Sequence, residues 1–267
     1  MKRRASLLPL LLVVSSVSLL SSCTSVPRKP LEVSSSAAVR NNKLDANRVK
    51  VGENGLDEYA AAPVADPLEP VNRGIFWLND GIYTIVLRPI SKGYEKVVPK
   101  LVRESLDNLF ANAKFPIRFV NCALQGNFKR ALQETGGFLV NSTIGFAGIV
   151  RQSDHFPALA DVPAEDTGQT FAKWGIGHGA YLVLPLLGPS SLRDTVGLAG
   201  DYALSPISWV TILYGGEAWS LVIPSTDTLR ALPHQLSRYD SATENALDKY
   251  LAARSSYIQY RREAALK

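Results

Sequence analysis

Apolar residues recur along this chain in two ways, as helical stripes and as unbroken runs cut by glycine and proline. From Pro70 onward Val71, Ile75, Leu78, Ile82 and Val86 follow a 3.6-residue repeat, with Asn72, Arg73, Asn79 and Asp80 opposite them. The pattern predicts a helix entered through a turn at Asp66-Pro67-Leu68-Glu69, with Asp66 available as a cap, and ended at Arg88-Pro89. Pro99 begins a second helix, with Val102, Leu106, Leu109, Phe110 and Ala113 on one face. A third starts at Pro116 and stops at Gly126, and Asn127 caps a fourth that carries Phe128, Ala131 and Leu132. Beyond Pro224 the pattern predicts a short polar helix. Ser241-Ala-Thr-Glu244 reads as a capping box for a last helix with Leu247, Tyr250, Leu251 and Ile258 on one side.

The unbroken runs are stranger. Residues 174–192 hold no Asp, Glu, Lys or Arg, yet Gly175, Gly177, Gly179, Pro185, Gly188 and Pro189 interrupt them. A bilayer-spanning helix needs about 20 apolar residues in register, and these breakers leave only short pieces. Residues 135–150 and 202–216 repeat the theme, the latter with Trp209 and Tyr214. No alternating strand pair joined by an Asn-Gly or Asp-Gly turn is visible, so the expectation is an all-α fold. Irregular backbone survives at membrane depth only inside protein or beside a water-filled cavity. Amphipathic and broken helices lodged in one leaflet satisfy that condition. A deep core in an ordinary globular domain is the competing reading.

The start of the chain favours the membrane. Lys2, Arg3 and Arg4 precede an apolar stretch from Leu7 to Leu20, which ends in Ser21-Ser22-Cys23. This is the form of a lipoprotein signal peptide over 1–22, with Cys23 as the lipid attachment site. Several acyl chains hold far more firmly than one. Residues 23–64 are rich in Ser, Asn, Ala and charge, without apolar periodicity, and read as a disordered tether of roughly 35 Å reach. Residues 65–267 then form one helical domain.

Charge and candidate chemistry narrow the function. Three of the 29 Lys and Arg residues lie in 1–22, which holds no acidic residue, so the net charge of +5 falls to +2 after processing. The basic residues are scattered, which gives no warrant for a nucleic-acid partner. Cys122 is left as a lone cysteine in an apolar helical context, predicted buried and inert. His155, His178 and His234 are spaced too widely for a metal motif, and no cofactor is implied. Gly175-Ile-Gly177-His178-Gly179 lacks the strand, helix and following Lys-Ser/Thr of a phosphate loop and reads as turn glycines. A catalytic set could be drawn from Ser190 or Ser191, His178 and Asp194, but nearness in sequence is not triad geometry.

Several blocks together, DPLEPVNRGIFWLND (66–80), LRPISKGYEKVVP (87–99), FVNCALQG (119–126), FLVNSTIGFAGI (138–149) and EDTGQTFAKWGIGHGAYLVLPLLGPSSLRD (165–194), resemble the VacJ/MlaA family of outer-membrane lipoproteins. Gly136-Gly137 and residues 151–154 depart from the family's pattern. The resemblance implies a ring of helices in the periplasmic leaflet of the outer membrane, with an amphipathic pore and a trimeric porin alongside. It also implies a non-enzymatic role: stray phospholipid is taken from the outer leaflet and passed to a soluble periplasmic carrier protein. For that path the candidate residues are Asn72, Arg73 and Asn79, and the candidate membrane-interface residues are Trp174, Tyr181, Trp209 and Tyr214. A lipase or acyltransferase of the envelope, and a scaffold lipoprotein that only anchors partners, are the alternatives.

Overall fold

The computed structural model describes residues 64–160, 162–213 and 218–266. The expected signal peptide, Cys23, the expected tether up to residue 63 and Tyr214 lie outside the described residues. Helix α1 (Glu69–Ile82) opens with Pro70 in its first turn, where a missing N–H costs nothing. Asp66 does not cap it; no side chain does. Nor does the helix end at Arg88-Pro89. A π-turn (Tyr83–Leu87) carries it into α2 (Arg88–Val97). Arg88 N–H reaches back to the Tyr83 carbonyl, and this wider turn accommodates Pro89 without a break.

Helices α3 (Lys100–Ala113), α4 (Phe115–Leu124) and α5 (Phe128–Thr143) follow as expected. Gly126 takes a left-handed φ of 73° after α4, and Asn127 Oδ1 accepts from Arg130 N–H at 3.2 Å. Then α6 (Thr167–Lys173) leads into the one departure from helix among the described residues. It is an antiparallel hairpin of β1 (Tyr181–Leu184) and β2 (Gly188–Ser191), with Tyr181 opposite Ser191 and Leu184 opposite Gly188. Helices α7 (Leu192–Leu204) and α8 (Pro206–Leu213) come next and meet at 68°. No single described helix is long and apolar enough to cross a membrane; that bent pair passes by length and composition alone.

The expected short polar helix beyond Pro224 is instead part of α9 (Trp219–Thr243), 25 residues with Pro224 and Pro233 inside it. Pro224 cannot serve the Ser220 carbonyl, and Thr211 Oγ1 donates to it instead at 3.3 Å. The expected capping box at 241–244 is absorbed as well, since Ser241 Oγ bonds back to the Ser237 carbonyl within α9. Asp248 caps the last helix, α10 (Lys249–Leu266), accepting from the N–H groups of Tyr250 and Leu251 at 2.9 and 3.1 Å.

Polarity is distributed inside out. In α1 the apolar stripe faces outward, with Val71, Leu78 and Val86 beyond it all exposed, while Asn72, Phe76 and Asn79 are buried. Large apolar side chains line the outside of nearly every helix, and among the described residues buried polar and charged side chains outnumber buried apolar ones. The apolar core is small: Phe76, Tyr181, Val183, Tyr250 and Ala253, with Phe76 and Tyr250 edge to face at 5.7 Å. Where α6 crosses α7 the backbones touch. A Cβ on Gly197 would lie 2.6 Å from the Gly168 amide nitrogen.

Candidate functional site

The polar interior is built as a set of hydrogen-bonded networks, and the first lies under the hairpin. Asn72 and Asn79 stand seven residues apart on the buried face of α1, 2% and 3% exposed. Asn72 Nδ2 donates to the Tyr181 carbonyl and to Asp66, and its Oδ1 accepts from Val183 N–H at 2.9 Å. Asn79 does the same one strand-length on, donating to the Leu184 carbonyl and accepting from Leu186 N–H. Tyr83 Oη completes the row on the Leu186 carbonyl. These amides serve as fixed backbone partners for a short hairpin. The expectation that Asn72 and Asn79 line an open path is not what the structure gives them to do. Arg73 is paired with Glu69 and Asp248 at 2.8 Å and lies over the Tyr250 ring. In Asn72→Ala the buried Tyr181 carbonyl and Val183 N–H lose their partner, at about 1–3 kcal/mol each. We expect a clear drop in the denaturation midpoint of the detergent-purified protein by near-UV circular dichroism; an unchanged midpoint would mean that water replaces the amide.

A second network surrounds a recess among α3, α4, α5 and the segment after α5. Lys114 and Arg230 converge on Asp227, and Arg230 also reaches Asp107 at 3.1 Å while lying over the Phe110 ring. Arg118 pairs with Glu134 at 2.7 Å. Beyond α5 the chain passes through three consecutive left-handed residues, Phe146, Ala147 and Gly148. Gly148 is required there, since its Cβ would lie 2.5 Å from that of Asn112. The recess mixes Lys114, Arg118 and Glu134 with Ile117, Phe138 and Leu159 around a cavity of about 70 Å³. That is well below the roughly 300 Å³ of an ordinary ligand site.

The third network is fastened by α10. Arg261 forks onto Asp166 at 2.6 and 3.0 Å and also reaches Asp194 at 2.8 and 2.9 Å. Tyr257 Oη donates to Asp194, and Tyr250 Oη to Asp66. Burial works against ionisation of Asp194, but Arg261, Arg193 and Tyr257 overcome it and hold its pKa at about 2. Asp201 has the opposite fate. Burial and then the charge of Asp166 raise it to about 7, against hydrogen bonds from Thr167 N–H and Oγ1.

A family model described as MlaA lipoprotein matches residues 64–264, almost the whole described chain. The chain belongs to the MlaA lipoprotein family. The intermembrane phospholipid transport system lipoprotein MlaA of Escherichia coli K12 is 29% identical over 213 residues, 79% of this chain and 81% of that protein. The protein of the same name from Haemophilus influenzae is 27% identical over 207 residues, 77% and 81% of the two chains. An uncharacterized protein of Rickettsia prowazekii is 29% identical over 223 residues, 83% and 86%. A solved chain, from work on the structural basis for maintenance of bacterial outer membrane lipid asymmetry, superposes with a TM-score of 0.63 at 28% identity. It covers 75% of this chain and 99% of that one.

The remaining sequence expectations fall out as follows in this MlaA-family chain. Trp174 and Trp209 are exposed, 54% and 44%, each with its indole N–H on a backbone carbonyl. Tyr181 is not at any interface; it is fully buried in the apolar core, because its strand faces α1 and α10. Cys122 is buried, and burial followed by the charges of Glu165 and Glu134 pushes its thiol up to about 12. The serine–histidine–acid set is not assembled: Ser190 Oγ pairs with Thr195, and both Asp194 oxygens are taken by Arg193, Arg261 and Tyr257. The buried arginine–carboxylate networks had no signal in the sequence, since nothing in the spacing of Asp166, Asp194 and Arg261 joins them.

Proposed function

We propose that this chain is a lipid-anchored outer-membrane component of an intermembrane phospholipid transport system. It removes phospholipid mislocalised to the outer leaflet and passes it to a soluble periplasmic carrier, beside a trimeric porin, without catalysing a reaction. One observation carries the reading beyond family membership: large apolar side chains are exposed on nearly every helix, while Lys114, Arg193, Arg230, Arg261 and their partners Asp166, Asp194 and Asp227 are buried. A surface of that kind is stable against acyl chains rather than water. A charged interior offers a lipid head group partners that acyl chains cannot. Helices broken by glycine and proline suit a body seated in one leaflet, and Cys23 supplies its anchor.

The test is Cys23→Ala in the chromosomal copy. The protein is expected to leave the outer-membrane fraction, and phospholipid exposed at the cell surface to rise, measured by outer-leaflet-specific lipid labelling. Wild-type lipid asymmetry in that strain, or in one lacking the protein, would overturn the proposal.

A further inference from the structure

The glycine-rich loop before β1 covers nitrogen atoms that lack acceptors. Arg193, at the start of α7, has a side chain only 4% exposed. Its Nε donates to Asp194 and its Nη1 reaches the Ile176 carbonyl at 3.4 Å, but its Nη2 is buried without a partner. His178 Nδ1, on the loop itself, is buried and unpartnered too. The two residues are neighbours, since Arg193 N–H donates to the His178 carbonyl. Asp194 cannot satisfy these donors, because both its oxygens are engaged with Arg193 Nε, Arg261 and Tyr257.

Leaving a guanidinium nitrogen buried without an acceptor is costly, and an anion with several oxygens removes that cost at every donor together. The surroundings specify more than charge. Trp174 and Ile176 on the same loop, and Leu192 beside it, present exposed apolar side chains around the cationic floor. Gly175 and Gly179 hold left-handed φ angles of 86° and 65°, and a Cβ at 175 or 177 would meet nothing within 4 Å, so no neighbouring atom crowds the loop backbone there.

We propose that His178 and Arg193 form a receptor for the phosphate of a glycerophospholipid, whose glycerol and first acyl carbons lie on Trp174, Ile176 and Leu192. This inference rests on the phospholipid reading above and adds a place where the head group is held. Its chemistry is shared with free phosphate, and only the apolar rim separates the two.

The experiment uses full-length acylated protein, stripped of lipid in a maltoside detergent and titrated with dihexanoyl phosphatidylglycerol, dihexanoylglycerol or inorganic phosphate. Binding is read from the Nδ1 resonance of His178 in ¹⁵N-histidine-labelled protein and from ³¹P line broadening. The phosphatidylglycerol is expected to bind and to move the resonance. Arg193→Gln, with its fold checked by circular dichroism, is expected to weaken binding at least about tenfold, as loss of one charge-assisted bond does. His178→Gln, read by ³¹P alone, should act alike. Equal affinity in both variants, or equal binding of the uncharged diacylglycerol, would overturn the site. Inorganic phosphate binding as tightly as the lipid would overturn the lipid assignment in favour of a free anion. The transport reading is judged separately: a strain lacking the protein that still gains surface phospholipid keeps that reading even when the site fails.

Discussion

Arg261→Met is expected to cost about 3–5 kcal/mol, the typical penalty for removing one partner of a buried ion pair. The guanidinium is 5% exposed and is shared by Asp166 and Asp194, themselves buried. Methionine fills much of the volume but leaves both carboxylates short of their main cation. Asp166 also caps α6, accepting from Gln169 N–H at 2.8 Å, so the damage spreads to the α6–α7 crossing. Gly168 sits there without room for a Cβ, which would lie 2.5 Å from Arg261 Nη2 and from Asp194 Oδ1. Arg261→Lys restores charge but not the fork, and should recover only part of the loss. Arg262→Met, one residue on and exposed, should change stability by less than about 0.5 kcal/mol. Equilibrium unfolding in detergent checks all three. An Arg261→Met protein as stable as wild type would mean that α10 is not a fastening element.

Asp201 should make stability fall as pH rises. Its folded pKa of about 7 lies above its ordinary value of 3.8, so between those limits the folded protein holds a proton that the unfolded chain has released. Stability from this group is therefore complete below about pH 4 and is lost as pH climbs through about 7. The difference is worth at most about 4 kcal/mol. Asp194, held at about 2, gives almost no slope above about pH 5, where it is ionised in both the folded and the unfolded chain. Asp201→Asn removes the titration while keeping an acceptor for Thr167, and should flatten the midpoint-against-pH curve between pH 5 and 8. The same slope in both proteins would assign it to another group.

The helical class, the proline and Asn127 starts and the family were legible in the sequence because each depends on local spacing. What spacing cannot give is direction. Val71, Leu78 and Val86 define one face of the first helix and Asn72 and Asn79 the other whichever way the helix is turned, and here the amide face points inward. The hairpin was hidden because Gly188-Pro189-Ser190-Ser191 has no β-branched residues and its turn, Pro185-Leu186-Leu187, carries no usual turn pair. Its strands exist because α1 supplies amides to their backbones. Pro89 and Pro224 looked like helix ends, and each is bridged by a contact that only the folded chain contains: the Tyr83 π-turn and the Thr211 hydroxyl.

The closing helix has a bearing on how the molecule is made. Asp66 near the start of the described chain and Asp166 in its middle meet Arg254 and Arg261 only when the final 18-residue helix arrives. A chain emerging amino end first therefore carries its acidic groups ahead of the arginines that neutralise them. It stays unlatched until that helix has been made. The lipid modification proposed at Cys23 would have time to finish while the body is still open, and a copy cut before that helix lacks its clasp.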